Sequence, residues 1–396
     1  MIPVEFLIFG LTLLGVAIFQ RHTLVVSLAG LAAVVIFKVL FADFDGAPGL
    51  VGLLFHLHAE WVILVNLFAL LIGFALLSRH VQQSHLPHLL PRVLPDDWQG
   101  GFTLLALVFV LSAFLDNIAA AMIGATVAGT VYRGRVHIGF LAAIVAASNA
   151  GGSGSVIGDT TTTMMWLAGV PALEVLHAYV AAIAAFFVFA IPAARQQHRY
   201  SPIQRDADPG VVLDASRLIV VVLVLAGAIA ANVYANNLPE ERVGAFPYIG
   251  ATVIGILFLL TPWRRPDWSV LPAAIKGSVF LLALVLSASM MPVESLPDAS
   301  VATAFGLGLV SSVFDNIPLT KLALVQGGYD WGMLAYAVGF GGSMIWFGSS
   351  AGVAVANLFP EAKSVGQWLR HGWFVAVAYV VGFLALFAML GWRPVQ

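Results

Sequence analysis

The sequence contains no cysteine, which excludes disulfides and cysteine-based metal or redox chemistry. Charge is scarce as well. Only 10% of the 396 residues are Asp, Glu, Lys or Arg, where a soluble domain carries roughly a quarter. The net charge of −2 decides nothing about nucleic acid. The longest basic clusters are pairs such as Arg264-Arg265, so no polybasic partner surface is present and no nucleic-acid partner is expected. In place of charge the chain carries hydrophobic residues, 60% of the total, with a mean hydropathy of +0.96. A surface this apolar faces lipid, and the fold expected is an all-α polytopic membrane protein. No basic region precedes the first apolar run, Val4 to Phe19, which is long enough to remain a span instead of being cleaved as a signal.

Stretches near 2–19, 23–42, 60–78, 172–192, 217–235, 246–260, 271–291 and 373–390 read as plain spans. Regions 101–168 and 299–358 do not. Each opens with an apolar run interrupted by Asp-Asn, at Asp116-Asn117 and at Asp315-Asn316. Each continues into a second run interrupted by glycines, Gly151-Gly152-Ser153 and Gly341-Gly342-Ser343. The Asp-Asn pairs are 199 residues apart (116 to 315) and the Gly-Gly-Ser triplets 190 apart (151 to 341), in the same order, which marks an internal repeat. As one straight helix 101–131 would run about 46 Å, too long for a bilayer core of about 30 Å. Two arms meeting at Asp116-Asn117 fit better as a re-entrant hairpin.

The layout expected is therefore two repeats. The first, 1–194, holds scaffold spans over 2–78, a hairpin at 101–131, a broken helix at 138–168 and a span at 172–192. A hydrophilic linker, 195–216, carries Pro202 and Pro209. The second repeat, 217–396, holds a hairpin at 299–326 and a broken helix at 330–358. Five crossings per half invert the second copy, giving about ten transmembrane helices plus two hairpins. With both termini outside, all but four of the 18 Lys and Arg fall on the inner side. The exceptions are Arg242 and Arg393 outside and Lys38 and Lys321 within membrane segments, and this bias has the sign expected of a plasma-membrane protein. The acids Asp43, Asp45, Glu174, Glu240, Glu241, Glu294 and Asp298 fall outside in the same layout.

A carboxylate in hydrocarbon costs several kcal/mol unless it is paired, hydrated or ion-bound. Asp116, Asp159 and Asp315 sit in mid-segment without a basic neighbour within one helical turn. Each is a helix N-cap, an ion ligand, or both. Gly151, Gly152 and Gly154, and Gly341, Gly342 and Gly348, permit an irregular backbone that turns carbonyls inward. Carbonyls together with Asp, Asn117, Asn149, Asn316, Ser343, Ser349 and the run Thr160 to Thr163 form an all-oxygen donor set suited to a hard cation such as Na⁺. Small hydroxyl residues also let helices pack closely. Glu60 is either an interfacial residue or a proton relay at the cavity mouth. Lys321 either neutralises a carboxylate such as Asp315, faces an anion, or snorkels outward. Two other motifs carry less. Gly151-Gly152-Ser153-Gly154 matches the G-x-S-G of intramembrane serine proteases, but the nearest histidines, His137 and His177, fall at segment ends. His56-Leu57-His58-Ala59-Glu60 has the look of a metal cluster but lacks a further ligand motif.

On these residues the chain resembles the ion transporter superfamily, and within it the NhaD-type Na⁺/H⁺ antiporters. The resemblance rests on Phe114-Leu115-Asp116-Asn117-Ile118, on Asn149-Ala150-Gly151-Gly152, and on Ile157-Gly158-Asp159 running through Thr160 to Trp166. In the second half it rests on Asp315-Asn316-Ile317-Pro318, Gly341-Gly342-Ser343-Met344 and Gly348 through Val355. It implies a secondary transporter in the bacterial inner membrane and not an enzyme. Na⁺ (or Li⁺) and H⁺ would be the cargo, with no cofactor, in a homodimer whose hairpins and broken helices move elevator-fashion. Asp116, Asn117, Asn149, Asp159, Thr161, Thr162, Asp315 and Asn316 match the positions that hold the ion in that family. Two features depart from it: Ser153-Gly154 where Ala-Trp is common, and Lys321 in the second hairpin. Both would suit Na⁺-coupled transport of a small anion, a carboxylate or bicarbonate. Acids outnumber Lys321 in the core, so cation/proton exchange leads.

Overall fold

The structure, a computed structural model, describes residues 3–19, 21–44, 47–204, 210, 212–239, 242 and 244–394. Asp45, Arg205, Pro209, Glu240 and Glu241 lie outside the described residues. Among the described residues, the regular elements are helical apart from a two-stranded antiparallel ribbon, Asp43–Phe44 against Ala47–Pro48.

Among the described residues, four α-helices precede the first predicted hairpin: α1 (Val4–Ile18), α2 (Thr23–Phe41), α3 (Gly49–Gln83) and the short α4 (Leu86–Leu89). Then come α5 (Trp98–Ser112), α6 (Asn117–Val131), α7 (Ile138–Ser153), α8 (Thr160–Leu167), α9 (Ala172–Leu176) and α10 (Ala178–Tyr200). Among the described residues that follow are α11 (Ala215–Asn236), α12 (Tyr248–Leu260), α13 (Leu271–Ser289), α14 (Val301–Ser311), α15 (Asn316–Gln326), α16 (Trp331–Gly341), α17 (Ser350–Leu358), α18 (Val365–His371) and α19 (Trp373–Leu390).

Among the described residues, 6 helical segments are long and apolar enough to cross a bilayer: Thr23–Phe41, Gly49–Gln83, Ala172–Tyr200, Ala215–Ala235, Trp268–Ser289 and Trp373–Leu390. Two stretches read as plain spans, α1 and α12, have 15 and 13 helical residues and fall short of that length. Where 60–78 was read as the third span, α3 runs for 35 residues. Pro48 and Gly49, at φ 64, turn the chain into it, and no proline interrupts it before Gln83. Glu60 accordingly lies inside a helix instead of opening one. The linker expected at 195–216 begins late. Helix α10 passes through Pro192 and continues to Tyr200, because Ala193-Ala194-Arg195-Gln196-Gln197 are good helix formers.

The helices pack in two bundles, each drawn from both halves of the chain. In one, α1 lies on α2, α2 on α13, and α3 on α11, α12 and α13. In the other, α7 lies on α5, α6 and α10, α10 on α19, α14 on α16, α16 on α7, and α6 on α17. The bundles meet where α3 touches α6 and α8 and where α13 touches α15.

Close packing in the second bundle depends on two glycines inside helices. A Cβ on Gly151 would lie 2.0 Å from the Phe109 carbonyl oxygen, and one on Gly341 would lie 2.2 Å from that of Gly308. The sequence reading gave these glycines to irregular backbone. Both are helical, with no left-handed φ, and what they provide is helix–helix approach. The serines above them fasten the same contacts: Ser112 Oγ donates to the Ser148 carbonyl at 2.6 Å and Ser311 Oγ to that of Val338 at 2.7 Å.

Candidate ion site

Four helices begin at the centre of the second bundle. Asp116 caps α6, its Oδ1 accepting from the Ile118 amide at 2.9 Å. Asp315 caps α15 in the same way, accepting from Ile317 at 3.1 Å. Asp159 caps α8 through the Thr161 amide at 3.3 Å, and Ser349 caps α17 through Gly352 at 3.2 Å. An Asp or Ser with extended backbone satisfies an amide that the helix itself leaves open, so these residues end one segment and start the next.

The caps join in one buried network. Asn117 Nδ2 donates to Asn149 Oδ1 at 3.1 Å and to Asp159 Oδ1 at 3.3 Å. Asn316 Nδ2 donates to the other oxygen of Asp159, Oδ2, at 3.3 Å. Asn149 Nδ2 reaches Ser343 Oγ at 2.9 Å and Ser349 Oγ at 3.2 Å. Asp159 is 2% exposed and lies within electrostatic reach of both Asp116 and Asp315. Thr161 Oγ1, fully buried, faces the Asp159 carboxylate without a hydrogen bond of good geometry. Asp315 Oδ2 accepts from Ser350 Oγ at 3.2 Å. Asp315, Ser349 and Ser350 line a cavity of ≈ 210 Å³ whose opposite wall includes Leu13, Val16 and Thr23 from the other bundle.

Of the residues singled out in the sequence, Asn117, Asn149, Asp159, Asn316, Ser343 and Ser349 meet directly, with Asp116, Thr161 and Asp315 at their edge. Others do not join. Thr162 Oγ1 donates to the Ser155 and Asp159 carbonyls at 2.5 and 2.9 Å, holding the helix break together. The Gly151 carbonyl accepts from Tyr179 Oη at 3.0 Å. Lys321 does not serve as counter-charge to Asp315. Its ammonium donates to both oxygens of Glu60 at 2.8 Å, so the two side chains form an ion pair. The widened pocket read at Ser153-Gly154 is filled by the Tyr179 ring, 2.5 Å from where a Gly154 Cβ would stand. His56 Nε2 hydrogen-bonds Ser289 Oγ at 2.8 Å, joining α3 to α13.

No family model matches the chain. Its sequence is similar to Sodium/proton antiporter 1 of Arabidopsis thaliana, 27% identical over 331 residues, 74% of this chain and 55% of that protein. It is similar to Sodium/proton antiporter 2 of the same plant, 27% identical over 326 residues, 74% of this chain and 76% of the relative. It is also similar to the Na(+)/H(+) antiporter NhaD of Alkalimonas amylolytica, 25% identical over 345 residues, 74% of this chain and 68% of that protein. The chain is a relative of the NhaD-type antiporters. It spans little more than half the length of the first plant protein. Together with its long apolar helices, that kinship makes it a multi-pass membrane protein among relatives named for transport and not for catalysis.

Two contacts of the site had no forerunner in the sequence, that of Tyr179 with the Gly151 carbonyl and that of Ser350 with Asp315. Tyr179 stands in a span of Ala, Val and Phe, and a lone hydroxyl there was the available signal. Ser350 lies in the string from Gly348 to Val355 with nothing there to assign it a partner; its bond to Asp315 joins α17 to the tip before α15.

Proposed function

We propose that this chain is a secondary transporter that exchanges Na⁺ (or Li⁺) for H⁺ at the Asp159 network. The single observation that carries the proposal is a buried carboxylate held by two asparagine amides from two hairpin tips, with no basic side chain in the network. Three carboxylates meet four helix N-termini there. Each N-terminus is worth about half a positive charge, so the dipoles offset roughly two carboxylates and leave about one negative charge. One monovalent cation, or a proton, supplies the balance. Na⁺ takes oxygen ligands, and Asp159, Thr161, Asn149, Ser343 and Ser349 offer them. Bound alternately, Na⁺ and H⁺ become coupled because the same carboxylate serves both.

The matched caps at Asp116 and Asp315, and at Asp159 and Ser349, support two inverted repeats, 1–194 and 217–396. Both termini then lie outside and the α1–α2 turn faces the cytoplasm. The cavity beside Asp315 is the cytoplasmic approach to the site. The second bundle moves elevator-fashion against the first, in a homodimer within the bilayer, and no cofactor takes part. The anion alternative relied on Lys321 and on space at Gly154. The first is neutralised by Glu60 and the second is occupied by Tyr179, so the cation reading stands.

The test is ion flux in proteoliposomes under an imposed pH gradient, with Na⁺, Li⁺, K⁺ and bicarbonate compared. Exchange of Na⁺ or Li⁺ for protons without a bicarbonate requirement is the expected result. Flux that needs bicarbonate, or no cation-dependent proton movement, refutes the proposal.

A further inference from the structure

Glu60 and Lys321 are separated by 261 positions and lie on different bundles, Glu60 on α3 and Lys321 on α15. Both Nζ–O distances are 2.8 Å, and the side chains are only 15% and 7% exposed. Neither belongs to the Asp159 network. The interface between the bundles also carries apolar contact. Leu67 on α3 and Leu281 and Val285 on α13 form a small buried cluster with Met164 on α8 and Ile317 on α15.

Those two kinds of contact respond differently to sliding. Apolar contact is non-directional, and one greasy register can replace another at little cost. A bidentate buried ion pair is directional, and separating it leaves two desolvated charges. A hydrophobic pair of equal volume would hold the surfaces at least as firmly, so what the ion pair adds is a preference for one register. Other ion pairs behave otherwise. Arg79 with Asp267 at 2.9 Å and Arg264 with Asp214 at 3.2 Å both tie segments within the first bundle. In the first hairpin the position matching Lys321, at the 199-residue offset, is Met122, so the charge belongs to the second hairpin alone.

We propose that the Glu60–Lys321 pair is a latch between the two bundles, holding the state in which the cavity beside Asp315 is open. This rests on the exchanger reading above, in which the second bundle moves. The latch acts on the equilibrium between states and not on the ion ligands. Its release is one step of each cycle.

The chain has no cysteine, so one introduced thiol reports the state without background. Val353 lines the cavity, and Val353→Cys is labelled in detergent-solubilised protein with a charged thiol reagent. Replacing the pair by Glu60→Leu with Lys321→Met should slow labelling about tenfold, an ordinary size for a coupling between two elements. The exchange Glu60→Lys with Lys321→Glu should restore the original rate. Unchanged or faster labelling in the neutral pair overturns the latch, as does failure of the swapped pair to restore it. Should the neutral pair not fold, Glu60→Gln, which keeps the volume and removes the charge, is read in the same way. Labelling needs no transport. A parent protein that exchanges no ions therefore counts against the exchanger, while intact exchange with unaltered labelling counts against the latch alone.

Discussion

Asp159 and Asn316 lie 157 positions apart and are joined by a hydrogen bond of 3.3 Å, so the tip of one predicted hairpin holds the carboxylate at the break between α7 and α8. Asn117 holds the opposite oxygen at 3.3 Å. The carboxylate is clamped by neutral amides, which orient it without neutralising it. Asp159→Asn keeps the volume but removes the charge and one acceptor oxygen, so one of the two asparagine amides turns over to present its own oxygen to the new NH2. It should abolish Na⁺-driven proton movement in proteoliposomes while thermal stability stays the same or rises, since a buried charge is removed.

Asn149 is the junction of the network, accepting from Asn117 and donating to Ser343 and Ser349. Asn149→Ala leaves at least one buried polar group without its partner, at a cost of about 1–3 kcal/mol. A lower unfolding temperature and a Na⁺ affinity weakened by tenfold or more are expected. Thermal unfolding with and without Na⁺ measures both, and an unaltered Na⁺-dependent shift would remove Asn149 from the site.

Gly151→Ala and Gly341→Ala should each damage folding. Their Cβ atoms would meet backbone oxygens at 2.0 and 2.2 Å, and backbone cannot swing aside as a side-chain end can. A loss of about 1–3 kcal/mol or more follows from overpacking, read as lower yield of monodisperse protein. Gly306→Ala, whose Cβ meets nothing within 4 Å, is the matched control.

Outside the membrane, the Ser216 hydroxyl first, and then Arg264 and Arg217, hold the Asp214 carboxyl below the usual carboxylate range. A depressed folded pKa means the contribution is fully present above the unfolded value of about 3.9 and is lost as pH falls through the folded value. Asp214→Asn should therefore lower the unfolding temperature slightly at neutral pH, with the gap to the parent closing below about pH 4. A gap that widens with acid would contradict this assignment.

The helix starts at Asp116, Asp159 and Asp315 were legible because capping is local: an Asp accepts from an amide two residues ahead, and that spacing is visible in the chain. The Asn117 and Asn316 positions followed from the matched order of the two halves, whereas Asn149, whose counterpart in the second half is Gly339, was singled out through the family resemblance. Lys321 with Glu60 was not legible, because only the packing of α15 near α3 brings them together. Gly154 was misread as space for the same reason. A glycine announces that something approaches closely, but not that the visitor is Tyr179. The run past 194 into α10 was hidden by the polar composition that marked a linker, since polarity and helix propensity are separate properties of Arg195, Gln196 and Gln197.

The central claim is that one carboxylate serves both ions, and proton release on Na⁺ addition tests it most directly. Purified protein in weakly buffered detergent solution near neutral pH should release protons when NaCl is added and none when choline chloride is added. Asp159→Asn should release none with either salt. Na⁺ binding without proton release in the parent protein, or undiminished release from Asp159→Asn, would contradict the shared site.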